Sequence, residues 1–188
     1  MRSRSDRMTP AADGRKLVWM TLGAALVAAG AQVDVPMYPV PMSLQSLFIV
    51  LAGAALGARW GTAAVVVYLF AGAAGLPVFS GGASGLTHFT GPTAGYLMGF
   101  VAAAAWVGFR CRAARASFLR TATEMIVGHV WILGLGALWL STHIGWAKAW
   151  LDGVAPFIVG AACKSVVAAG LAKVWWSLMM TPKDNDPE

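Results

Sequence analysis

Apolar runs alternate along this chain with short polar, proline-rich or glycine-rich breaks, and the lengths of the runs suit membrane spans. The first run covers 17–33, directly after Arg15 and Lys16. A segment at 34–42 follows, with Pro36, Pro39 and Pro41 excluding a helix there. The pattern then predicts a short helix over 43–58 and another from just past Gly61 to about Gly75. A glycine-rich loop over 76–92 separates these from a fourth helix over 93–109. An arginine cluster leads into a fifth helix over 121–140, and a polar loop at 143–153 into a sixth over 154–179. The reading is an all-α integral membrane bundle of six transmembrane helices.

Composition agrees with lipid as the solvent. Of 188 residues 58% are hydrophobic and 12% charged, against about 25% charged in a typical soluble domain. Six spans use nearly all of the chain: a tail at 1–16, one transmembrane substrate-binding domain at 17–180 and a second tail at 181–188. A cleaved signal peptide has a shorter apolar core than the run at 17–33, so that run is read as a retained first helix.

Charge fixes the orientation. The net charge is +6, but the basic residues fall at helix ends rather than on one face of a soluble fold, which argues against nucleic acid. One side of the predicted bundle holds Arg2, Arg4, Arg7, Arg15, Lys16, Arg59, Arg110, Arg112, Arg115, Arg120, Lys173 and Lys183; the other holds Lys148. That asymmetry places both termini in the cytoplasm. Cys111 and Cys163 are far apart and unlike in setting, so neither a disulfide nor a metal framework is indicated.

Lys164 stands inside the sixth helix. A lysine at mid-bilayer costs roughly 2.5–3.5 kcal/mol on insertion scales, and the default reading of an intramembrane charge is function. Snorkelling is the plainer alternative, because a helix starting near Asp152 puts Lys164 about 18 Å down. Held in a dry interior, the ammonium attracts a carboxylate arriving from outside. Glu124, the other charge inside a span, lies four residues from Arg120, and an intrahelical pair is the simplest expectation. His129 lies mid-helix and is read as a structural residue bonded across helices. His88 and His143 fall in outer segments, and three dispersed histidines make no metal site.

The loop at 76–92 exceeds a simple connector, and its glycines let backbone approach a ligand closely. With the triple-proline segment on the same side it suggests a lid. Small residues recur every four positions: Ala24 with Ala28, Ala25 with Ala29, then Gly53, Gly57 and Gly61, then Gly91, Gly95 and Gly99. Such stripes let helices pack closely in lipid, and most are expected to serve the bundle itself. Ser84, between Gly82 and Gly85, admits a rival reading as an intramembrane serine hydrolase, which needs a facing histidine. No P-loop motif is present, so the chain carries no ATPase of that kind.

The order and spacing of several blocks resemble the BioY family, the biotin-specific S components of energy-coupling-factor transporters. The blocks are Val40-Pro41-Met42-Ser43-Leu44-Gln45, Leu51-Ala52-Gly53-Ala54-Ala55-Leu56-Gly57, Tyr68 with Gly72, Gly75-Leu76-Pro77-Val78-Phe79, Gly81-Gly82, Gly91-Pro92-Thr93-Ala94-Gly95-Tyr96, and Gly99-Phe100. Pro156-Phe157 and Lys164 extend the likeness over the sixth helix. The resemblance implies a non-enzymatic carrier without cofactor, binding biotin from the outer side. It implies that Lys164 meets the ligand, with Gln45, Phe79, Thr93 and Tyr96 as further binding residues. It also implies that Ala24, Ala25, Ala28 and Ala29 dock a transmembrane coupling protein served by ABC-type ATPases, with uptake without such a module, and a homo-oligomer, as alternatives. The family's usual aspartate three positions before the lysine is here Ala161, a departure for which Asp34 or Asp152 are candidate substitutes. Another small carboxylated vitamin is the alternative ligand.

Overall fold

A computed structural model describes residues 10–115 and 117–179 of the chain. The tail at 181–188 and the basic residues Arg2, Arg4, Arg7 and Lys183 lie outside the described residues. Helix α1 runs over Pro10–Ala31, starting seven residues before the predicted first helix. A two-stranded stub follows, β1 (Asp34–Val35) pairing antiparallel with β2 (Met42–Ser43), and it closes the proline segment at its base. Then come α2 (Gln45–Ala73), α3 (Ala94–Ala114), α4 (Phe118–Ile144), a short α5 (Trp146–Gly153) and α6 (Phe157–Met179).

The two helices expected at 43–58 and 61–75 both lie within α2, which reverses direction at Gly57. Gly57 has φ 79° and ψ 172°, a conformation open to glycine and strained for other residues. On a straight helix Gln45 and Tyr68 would stand roughly 35 Å apart at 1.5 Å per residue. Instead Tyr68 Oη donates to Gln45 Oε1 at 2.8 Å. A Cβ added to Gly61 would stand 2.6 Å from Ala52 O, so the two halves also touch backbone to backbone near the turn. The predicted pair of helices is therefore present as a hairpin whose connection is a single residue.

Among the described residues, four helices are long and apolar enough to cross a membrane: α2, α3, α4 and α6. As a hairpin, α2 makes two passes. The first turns of α1 carry Arg15 and Lys16 before an apolar stretch that packs on α2. With α1, six passes result. The exposed surface is apolar, with Leu22, Phe70, Phe109, Leu138, Val159 and Leu178 facing outward, as a lipid-covered bundle requires. α3 is the central helix, packed between α2 and α4, while α6 lies against both α2 and α4.

The close packing has a local cause in the glycine stripes. A Cβ on Gly53 would stand 2.6 Å from Ala104 O, and one on Gly95 would stand 2.4 Å from Leu135 O. Backbones at these crossings meet directly, as small residues permit in lipid. The stripe on α1 divides: Ala24 and Ala28 pack into the core, while Ala25 and Ala29 remain exposed.

Basic side chains gather at one end. There Lys173 Nζ donates to Arg115 O, and the Arg115 guanidinium lies over the Trp176 ring at 5.4 Å. Arg59, beyond the Gly57 turn, belongs to the same end, since Gly108 of α3 abuts Gly57 and Ala58. The positive-inside rule assigns this end to the cytoplasm. Glu124 pairs here with Arg110 of α3 rather than with Arg120: Arg110 Nη2 and Nε both stand 3.1 Å from Glu124 Oε1, and Trp106 Nε1 donates to Oε2 at 3.1 Å. The expected intrahelical pair is thus replaced. Arginine four residues before glutamate is the weaker orientation on a helix, and a donor fork from the neighbouring helix outcompetes it.

The opposite end differs from expectation in two further respects. The polar loop expected at 143–153 contains α5, whose Ala149 and Gly153 are buried. α6 starts at Phe157 rather than at 154, which puts Lys164 only about 10 Å from the start of its helix at 1.5 Å per residue.

Candidate functional site

The end away from the arginines holds a cavity of about 390 Å³, within the usual 300–1,000 Å³ range for small-molecule pockets. The hairpin contributes Gln45 and Ser46 from the first turn of α2, α3 contributes Tyr96, Leu97 and Phe100, and α4 contributes His129, Ile132 and Leu133. Phe157, Ala161 and Lys164 come from α6. Both loops singled out in the sequence close over it: residues 38–41 of the proline segment, and Phe79, Ser80, Thr87, His88 and 91–93 of the glycine-rich loop.

All five sequence-predicted binding residues, Lys164, Gln45, Phe79, Thr93 and Tyr96, line this one cavity. Gln45 is fixed by the bond from Tyr68, so its amide nitrogen is the group turned to other partners. The Phe79 ring lies edge-on to Tyr68, His88 and Phe89, at centroid distances of 5.6, 5.4 and 6.1 Å. It rests on Gly72, where an added Cβ would fall 2.1 Å from the ring. Gln32 Nε2 donates to the Phe79 carbonyl at 3.2 Å and ties the loop to the end of α1. Thr93 stands at the N-terminus of α3 with no side-chain capping bond, so its hydroxyl is not spent on the helix. Tyr96 crosses α4 at Gly136 and donates from Oη to Gly153 O at 2.8 Å, locking α5 to α3.

Lys164 is half-buried. Its Nζ donates to Ser43 O at 2.6 Å and reaches Ser46 Oγ at 3.4 Å, both neutral partners. No acidic side chain lines the cavity among the described residues. Asp34 accepts a bond from Ser80 Oγ at 2.7 Å and so stands behind the wall, while Asp152 is exposed on α5. Neither takes the place of an acid at 161. The ammonium also abuts the first turn of α2, where the helix dipole favours negative charge. A carboxylate placed between Nζ and that turn meets a cation, a hydroxyl and a helix N-terminus together.

Ser43, Ser46, His88, Ser80 and His129 are cavity residues that sequence reasoning did not assign to the ligand. Ser43 and Ser46 flank Gln45 within a quoted block, so proximity to that block was the signal available. His129 gave none, being a single histidine on an apolar helix. Ser84 does not line the cavity and has no hydrogen bond to a histidine among the described residues.

Comparison with known proteins places these features in context. The model of the BioY family matches residues 4–181. The chain is 35% identical over 154 residues to a probable biotin transporter of Pyrococcus horikoshii, covering 82% of this chain and 91% of that one. It is 36% identical over 159 residues to a biotin transporter of Thermotoga maritima, covering 84% and 94%. A biotin transporter of Rhizobium etli is 37% identical over 172 residues, covering 85% and 91%. Among solved structures, the S component for biotin from an ECF-type ABC transporter superposes with a TM-score of 0.84 at 25% identity, covering 90% of this chain and 95% of that chain.

Proposed function

This chain belongs to the BioY family, and we propose that it is a membrane-embedded S component that captures biotin from the outer side for uptake. The observation that carries the reading is the ammonium of Lys164, set in a largely apolar cavity with neutral oxygen partners and, among the described residues, no lining carboxylate. Biotin offers the complement: a carboxylate on a flexible apolar chain, and a compact ring with polar edges. The carboxylate pairs with Lys164 and Ser46 at the first turn of α2. Phe79, Tyr96 and Phe100 pack against the apolar parts of the ligand, while Gln45 and Thr93 offer hydrogen bonds to its polar edges. No covalent step is needed, and hydrolysis at Ser84 lacks both cavity and histidine.

Uptake requires the bundle to present the loaded cavity to the other side. The similarity to a component of an ECF-type ABC transporter supports a coupling module driven by ATP hydrolysed on partner subunits. Ala25 and Ala29, exposed on α1, leave a flat strip where a helix of a transmembrane coupling protein can approach.

Calorimetry of the purified protein in detergent tests the reading. Biotin is expected to bind at micromolar levels or below while other small carboxylated vitamins do not. Binding of another vitamin in the absence of biotin binding would overturn the specificity.

A further inference from the structure

A second polar group in the cavity wall is left half satisfied. His129 is 3% exposed, in the middle of α4. Its Nδ1 lies 3.0 Å from Met125 O and 3.0 Å from Ser165 Oγ. Met125 O can only accept. Ser165 Oγ donates its one hydrogen to Ala161 O at 2.8 Å, which leaves it a lone pair toward the ring. Both neighbours of Nδ1 are therefore acceptors, and the proton of the neutral imidazole belongs on Nδ1. The other nitrogen, Nε2, is then an acceptor. It is buried and has no hydrogen-bond partner among the described residues, an arrangement that is unfavourable for a group left unmet. His129 is among the residues that line the cavity together with Lys164.

We propose that His129 Nε2 accepts a hydrogen bond from an N–H of the bound ligand, giving an acceptor for a ureido ring edge to a cavity that no carboxylate lines among the described residues. This rests on the reading of the ligand as biotin, whose ureido group carries two N–H donors. Two features set the geometry. Ser165 fixes the tautomer from α6, next in sequence to Lys164, so one stretch of helix serves both ends of the ligand. The bond from Nδ1 to Met125 O holds the ring against its own helix and prevents rotation that would exchange the nitrogens. A neutral acceptor also avoids placing a second cation beside Lys164.

The test pairs protein variants with ligand variants. Binding of biotin, and of biotin methylated at each ureido nitrogen in turn, is measured by calorimetry on the purified full-length protein and on His129→Leu and His129→Gln. In the parent protein, one of the two methylated ligands is expected to bind at least about tenfold more weakly than biotin. His129→Leu is expected to erase most of that preference, and His129→Gln, whose amide oxygen can accept, to restore part of it. Lys164-dependent preference for biotin over its neutral amide is expected to persist in His129→Leu, which shows that the cavity is intact. Should His129→Leu not purify as a folded protein, the methylated pair on the parent and His129→Gln decides. An undiminished preference in His129→Leu, or no loss with either methylated ligand in the parent, would overturn the role of His129. Absence of any biotin binding to the parent would instead overturn the ligand assignment and this inference with it.

Discussion

Lys164 Nζ on α6 donates to the carbonyl oxygen of Ser43 at 2.6 Å, bridging two positions that stand 121 apart in sequence. The bond ties the wall of the cavity to the strand just before α2. Its acceptor is a neutral oxygen, and among the described residues no carboxylate lines the cavity. Exchange of that partner for a ligand carboxylate is favourable, because a bond between two ionised groups is stronger than one to a neutral oxygen.

Replacing Lys164 by Ala is therefore expected to weaken biotin binding by about tenfold to a hundredfold, from the 1.5–3 kcal/mol of a charge-assisted hydrogen bond. The loss should be selective. The parent protein is expected to prefer biotin to its uncharged amide, and Lys164→Ala to bind both alike. Isothermal titration with the two ligands measures this, and an unchanged preference would refute the pairing.

Tyr68→Phe removes the donor that fixes Gln45 without opening a cavity, since Tyr68 is 1% exposed and its ring remains. A single neutral hydrogen bond is worth about 1 kcal/mol. Biotin affinity is expected to drop by about fivefold, and thermal stability only slightly. Gln45→Ala in the same background should then add little, because the two residues act as a unit.

Gly95 and Gly134 make a matched pair for the packing argument. A Cβ on Gly95 meets Leu135 O at 2.4 Å, while one on Gly134 meets nothing within 4 Å. Gly95→Ala is expected to lower stability by about 1–3 kcal/mol through overpacking, and Gly134→Ala to leave it unchanged or slightly higher. Thermal unfolding in detergent, followed by size-exclusion chromatography, reads both.

The pairing of Glu124 is checked by a double-mutant cycle. Arg110→Met and Glu124→Gln should couple by about 0.5–1 kcal/mol, since the arginine is half exposed and solvent screens the pair. Arg120→Met with Glu124→Gln should show no coupling. The reverse outcome would restore the intrahelical pair.

Much of this architecture is readable from the chain because lipid imposes simple rules. Apolar length located the passes, and the lopsided arginines oriented them. The proline and glycine loops stood out because their residues forbid helices of that length. Other features depended on events that no local pattern encodes. The reversal at Gly57 required one glycine among several to adopt positive φ, and Gly53 and Gly61 look the same in sequence. Trp146–Gly153 read as a loop because Lys148 and Asp152 are polar, yet burial of Ala149 and Gly153 against α4 and Tyr96 makes it a helix. Lys164 announced itself by being charged in an apolar run. His129 did not, because its partner Ser165 reaches it only when α6 packs on α4.

In the proposed pairing with Lys164, a cage that welcomes an anion also resists surrendering it. Departure of biotin then leaves the ammonium with its neutral partners alone, so the empty carrier is the higher-energy state of the same walls. Delivery to the cell therefore calls for separating α6 from the start of α2, admitting water to Lys164 before the vitamin leaves. Work supplied from outside the chain is best spent on that parting, and an idle carrier should hold its cargo.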